Sequence, residues 1–128
     1  MNEPAARQLA DVIRQTAFEA HRFLRHGHNE KVYENSLRNR LRQKQLAVEQ
    51  PVPIAVHDED GSLLGDFIAD LLINQEFIVE LKAVRALVDE HTAQILGYLR
   101  ASSIEHGMLV NFGSPRIQFQ KYILRQTD

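Results

Sequence analysis

Three charged residues stand in apolar surroundings that would not ordinarily accept them. Within Gly65–Val84, GDFIADLLINQEFIVELKAV, Asp70 lies between Ala69 and Leu71, while Glu80 and Lys82 interrupt the run from Phe77 to Val84. The stretch reads as two strands joined by a tight turn at Asn74-Gln75. Side chains alternate faces along a strand, so Glu80 and Lys82 point one way and Val79 and Leu81 the other. Asp70 shares its face with Ile68 and Leu72. A buried carboxylate neutralises itself unless a cation accompanies it. Two carboxylates and one lysine converging at strand ends therefore invite a divalent metal. The plainer reading is a Glu-x-Lys pair on a solvated edge strand, where lysine discourages further pairing. Asp70, a lone acid inside Ile-Ala-Asp-Leu-Leu-Ile, weighs against it.

The surrounding elements must bring these groups together. Leu9, Ile13, Ala17, Ala20 and Leu24 recur at helical spacing, predicting a helix from about Pro4 to His26 that ends at a left-handed Gly27. A second helix is expected from Asn29 to Leu46, with Asn29 as N-cap and Val32, Leu37 and Leu41 on its apolar line. Val48–Val56 reads as a strand confined to an edge by its two prolines, and Asp58–Gly61 as the following hairpin turn. Strands over Leu63–Ile73 and Phe77–Lys82 then precede a helix from Asp89 to Ser102, with Asp89 as its cap and Ile95, Leu96 and Leu99 buried. Gly107–Phe112 and Ile117–Leu124 complete the order α-α-β-β-β-α-β-β, an α/β domain. Gln94 and Tyr98, four residues apart, share a helix face near the end of the Glu80–Lys82 strand. They could bond a phosphate or stack a base; a boundary tyrosine beside a solvated glutamine is the bland alternative.

Bulk properties narrow the function. With 128 residues the chain is expected to form one domain, 1–128, with a core of its own. It has no cysteine, which excludes disulfides and thiolate metal sites and suits a reducing cytoplasm. No apolar run approaches membrane-spanning length, and no secretory leader is evident. The net charge of -2 hides a segregation. Acids crowd His57–Glu90, opposed only by Lys82 and Arg85, whereas Arg38, Arg40, Arg42 and Lys44 cluster without an acid, and Arg116, Lys121 and Arg125 follow near the C-terminus. An acidic centre with basic flanks suits a metal-dependent enzyme acting on a polyanion. Six scattered histidines offer a zinc site only if three or four converge. The carboxylates already supply a metal's needs, and only His91, three before Gln94, merits attention.

These residues carry a resemblance. Gly27-His28-Asn29-Glu30-Lys31-Val32-Tyr33 spells GxxExxY, and the chain resembles the family so named, itself similar to the PD-(D/E)XK nuclease superfamily. Gly65, Asp70 and Glu80-Leu81-Lys82 follow in the superfamily's order, Gln94 to Tyr98 resembles the Q-x-x-x-Y of RecB-like nucleases, and Asn111-Phe112-Gly113 looks like its last core strand. The likeness runs from about Phe18 to Leu124. Ala69 stands where the superfamily's name has proline. The resemblance implies a restriction-endonuclease-like fold, a mixed sheet flanked by helices, and Mg²⁺- or Mn²⁺-dependent hydrolysis of phosphodiester bonds, in DNA before RNA. Asp70, Glu80 and the carbonyl of Leu81 would hold metal, with Glu30 assisting, and Lys82 would act on water or phosphate. Gln94 and Tyr98 would orient substrate, with Tyr33 of the GxxExxY signature beside them, and Arg38 and Arg42, read from their charge, would meet phosphate unless they are merely a solvated helix face. A homodimer would cut both strands. The rival readings are a silent binding module on the nuclease fold and a small hydrolase acting on nucleotides.

Overall fold

A computed structural model describes residues 1–125, and the statements below concern those residues. The chain runs α1 (Glu3–Leu24), α2 (Glu30–Gln43), β1 (Val48–Glu49), β2 (Val52–His57), β3 (Leu63–Ala69), β4 (Leu71–Ile73), β5 (Phe77–Lys82), α3 (Asp89–Ser102), β6 (His106–Asn111) and β7 (Gln118–Ile123). Five strands form a mixed sheet in the order β1-β4-β5-β6-β7, and β2 and β3 form a separate two-stranded ribbon. Only β5 and β6 run parallel, because the α3 crossover joins them.

Two apolar layers sandwich the large sheet. On one side α1 and α2 bury Leu9, Ile13, Ala17, Tyr33, Leu37 and Leu41 against Phe77, Val79 and Leu81 of β5. On the other, Tyr98 and Leu99 of α3 pack with Ile78, Leu72 and the ribbon residues Val52, Ile54 and Ala69. The alternation of β5 thus divides its side chains between layers, and Glu80 and Lys82 fall on the α3 side.

Several boundaries depart from the sequence reading. The first helix stops at Leu24, and Arg25 takes the positive φ of 62° expected of Gly27, which follows at 116°. Asn29 caps α2 as expected, its side chain accepting from Val32 N–H at 3.3 Å. Val32 is not on the apolar line. It is 36% exposed, while the neighbouring Tyr33 is fully buried and stands four before Leu37, so the line runs through Tyr33, Leu37 and Leu41. The expected strand Val48–Val56 divides at Gln50-Pro51 into β1 and β2 in different sheets. Asp89 is the first helical residue of α3, and Val88 is its cap.

The most consequential departure lies at Asp70. Leu63–Ile73 is two strands, not one: Ala69 pairs with Val52 in the ribbon, and Leu71 pairs with Val79 in the large sheet. Asp70 is the joint between sheets. Both expected turns are present, with Asn74 and Gln75 at φ 50° and 63° and Gly61 at 89°. At the far end of β5, Gly113 fits so tightly that an added Cβ would stand 2.3 Å from Val84 N, which locks the loop after β6 onto the strand carrying Glu80.

Candidate active site

Where the chain passes between β3 and β4, the edge of β5 that faces β4 loses its ladder partner beyond Val79 while β6 stays paired on the other edge, and side chains take over. The Asp70 N–H donates to Glu80 Oε1 at 2.7 Å, and the Leu81 N–H donates to Asp70 Oδ2 at 2.8 Å. The two carboxylates cross the fork and satisfy the backbone donors that the departing strand abandons. The second oxygen of each makes no hydrogen bond to protein among the described residues. N–H and C=O of a strand residue leave along the same edge, so the Leu81 carbonyl faces this fork as well.

The electrostatics are those of a negative pair held too close. Burial raises Glu80 to about 8, aided by the charges of Asp70 and Glu30 and opposed by the bond from Asp70 N–H and by Lys82. Asp70 rises to about 6, chiefly by burial, against the bond from Leu81 N–H and with help from the charges of Glu34 and Glu30. The two titrate as a unit. A cation between them would relieve both burial and repulsion.

Lys82 projects from the same face as Glu80 and donates through Nζ to Gln94 Oε1 at 2.7 Å. Gln94 also bonds the hydroxyl of Tyr98, whose side chain is 5% exposed and whose pKa is pushed up to about 12 by burial and the charges of Glu80 and Asp70. From the opposite layer the N-terminus of α2 brings Glu30, raised mainly by burial and lowered by Lys82 and His91. His91 itself accepts the Val88 N–H at 3.1 Å, which fixes the first turn of α3.

Glu34 is the residue that sequence reasoning overlooked. It is 2% exposed, pairs with Lys31 at 3.1 Å, accepts from Gln50 and adds its charge to Asp70. Its spacing of four from Glu30, placing both on one helix face, was the available signal. Tyr33 requires a correction. It was expected to touch substrate, but it is wholly buried, stacked on Phe112 at 4.7 Å, with its hydroxyl donating to the Arg25 carbonyl at 2.5 Å. Arg38 meets Gln50 at 2.5 Å and Asn35 at 3.3 Å, and Arg42 donates to the Val48 carbonyl at 2.6 Å; neither bonds the Asp70–Glu80 pair.

The donor set fits a hard cation: oxygen ligands only, two of them uncommitted carboxylate oxygens under mutual repulsion. Among the described residues no three of His, Asp or Glu form a ready cage, so Glu30 stands near the pair without completing one. The histidines form no zinc site there either.

The sequence matches the PD-(D/E)XK nuclease superfamily over residues 7–123, nearly the whole chain. The chain belongs to that superfamily. Its α/β fold, three helices around a mixed five-stranded sheet with a two-stranded ribbon, is the restriction-endonuclease-like arrangement. The structure resembles the crystal structure of SSO0001, with a TM-score of 0.63 and 21% identity over 76% of this chain, a likeness of fold. The match spans 50% of that longer chain. No curated protein matches the sequence. Membership in the superfamily points to a metal-dependent nuclease, and no described helix is long and apolar enough to cross a membrane.

Proposed function

We propose that this superfamily member hydrolyses phosphodiester bonds in nucleic acid, DNA before RNA, with Mg²⁺ or Mn²⁺, and that it is of the GxxExxY type. The observation that carries the reading is the fork at Asp70, where a change of sheet turns two carboxylates toward each other beside a tethered lysine. Asp70, Glu80 and the Leu81 carbonyl would hold the ion, with Glu30 adjoining. A divalent ion there supplies Lewis acidity and neutralises charge at the phosphoryl group.

The chain's own side chains do the rest. Lys82, held by Gln94, reaches a phosphate oxygen or the attacking water by exchanging one hydrogen bond for another. Gln94 then orients substrate with its freed carbonyl while its amide stays on Tyr98. The Tyr98 hydroxyl keeps its proton across the working pH range, so it acts as donor and not as base. Ala69 in place of proline leaves this geometry intact, because the sheet change itself aims Asp70.

The test is hydrolysis of single-stranded, duplex and branched DNA with Mn²⁺, comparing wild type with Glu80→Ala and Lys82→Ala. Cleavage that both variants retain would refute the assignment. A silent nucleic-acid-binding module is the second reading, favoured by the two carboxylate–amide bonds that close the fork without any ion. A melting temperature indifferent to Mg²⁺ and Mn²⁺ would support it. Cutting both strands of a duplex would call for a second copy of the chain.

A further inference from the structure

The cations expected to meet phosphate, Arg38 and Arg42, are tied to the fold. Others are not. Arg22 in the last turn of α1, Arg25 just beyond it and Arg116 in the loop before β7 are exposed, and among the described residues none makes an ion pair or a side-chain hydrogen bond. They line two adjoining cavities of about 450 and 440 Å³ that share His21, Arg22 and Pro115, and no carboxylate lines either. Phe18, one turn before Arg22 on the same helix face, stands 53% exposed at the edge of the first cavity. An unpaired aromatic ring beside three unpaired guanidinium groups is the composition that binds a phosphate backbone and stacks an unpaired base.

The position matters as much as the composition. The loop carrying Arg116 leaves β6 beyond Asn111, which is in register with Lys82. Asn111 Oδ1 accepts from both Val84 N–H and Gly113 N–H at 3.0 Å, and His21 bonds the Ser114 carbonyl at 3.0 Å. The loop is therefore fixed to the end of β5 on one side and to α1 on the other. Arg25, in turn, precedes Glu30 by one short loop, whose closing bond is the Tyr33 hydroxyl on the Arg25 carbonyl. Both ends of the basic surface thus lead to the end of the sheet that holds Asp70, Glu80 and Lys82. The acidic fork repels a polyanion, and an outlying cationic surface offsets that repulsion.

We infer that Arg22, Arg25 and Arg116, with Phe18, form a track for single-stranded nucleic acid that leads to the fork from the α1 side. The inference rests on the proposed function for its direction of travel, but binding can be read without cleavage. The probe is a fluorescein-labelled DNA strand of about 20 nucleotides, and its duplex, titrated by anisotropy in EDTA over a range of KCl concentrations. Arg22→Ala/Arg116→Ala is compared with Arg7→Ala/Arg100→Ala, which removes the same charge from exposed positions elsewhere. The track variant weakens binding about tenfold or more and flattens the salt slope by about 1.4, since each single-strand contact contributes about 0.7. The control pair changes neither. Arg22→Lys/Arg116→Lys restores the slope, and Phe18→Ala reduces the preference for the single strand over the duplex. Equal losses in both double variants, or no binding by the wild type, overturn the track. Wild type that binds through these arginines but cuts nothing with Mn²⁺ refutes the nuclease reading and leaves the track standing; cutting with a slope indifferent to them does the reverse.

Discussion

The two faces of β5 were built for opposite ends. Phe77, Val79 and Leu81 enter a dry layer with α1 and α2, in which Tyr33 and Phe112 stack at the sheet's end. Ile78, Glu80 and Lys82 face α3, and there the apolar layer stops at Ile78 and gives way to charge. One face gains stability from burial; the other buries acids that would be better off in water. The strand can hold the second arrangement because the first anchors it. Sites with displaced pKa values depend on such neighbours.

Phe112→Ala strikes the anchoring face and has the largest expected effect. It removes a fully buried ring and should cost about 3–5 kcal/mol, read as a lower urea midpoint. A loss under about 1 kcal/mol would mean that the stack with Tyr33 holds nothing. Glu80→Gln acts on the other face. It should lower Mn²⁺-dependent cleavage about a hundredfold or more, equivalent to about 2.7 kcal/mol of barrier, without lowering the melting temperature in EDTA. A variant that melts far below wild type would show that Glu80 supports the fold after all.

The pH dependence separates the faces further. Asp70 and Glu80 hold protons in the fold, at about 6 and about 8, that the unfolded chain releases near 4. Folded values above unfolded ones give stability that is complete below the unfolded values and lost as pH rises through the folded ones. The metal-free protein should therefore lose several kcal/mol between about pH 4 and pH 8, and Mn²⁺ should return it, most at the alkaline end. A flat profile in EDTA would deny the repulsion. Gln94→Ala is the mildest change. Freed of its tether, Lys82 should lose about tenfold or less in cleavage rate, and a Lys82→Ala/Gln94→Ala pair should lose less than the product of the two single losses, because Gln94 acts in part through Lys82.

Much of this was legible in the chain, and the reasons for the remainder are physical. A near-continuous apolar run after the Asn74-Gln75 turn predicted β5 as Phe77–Lys82, and helical spacing placed α3 over Asp89–Ser102, because β5 is buried on both faces and α3 along one. The turns at Asn74-Gln75 and Gly61 followed from residues that tolerate positive φ. The division at Asp70 did not, since a strand that changes partners keeps its alternation and its apolar character. Near-continuous hydrophobicity concealed two sheets. Leu37 and Leu41 were placed correctly on α2, but its first buried position was given to Val32, a stronger apolar signal than Tyr33 although the tyrosine is the buried one. That slip also hid Glu34 and made Tyr33 look accessible. The arginines of α2 were conspicuous as a run, but a run says nothing of partners, and Gln50 and the Val48 carbonyl claim them. The unpaired Arg22, Arg25 and Arg116 come from two separate segments that only the fold joins.

Asp70 belongs to neither sheet, and that has a mechanical corollary. Neighbouring side chains within one sheet keep a spacing dictated by the ladder. The gap between Asp70 and Glu80 is instead governed by the tilt of the β2–β3 ribbon against the larger sheet, so the ribbon is a handle on the distance between the two carboxylates.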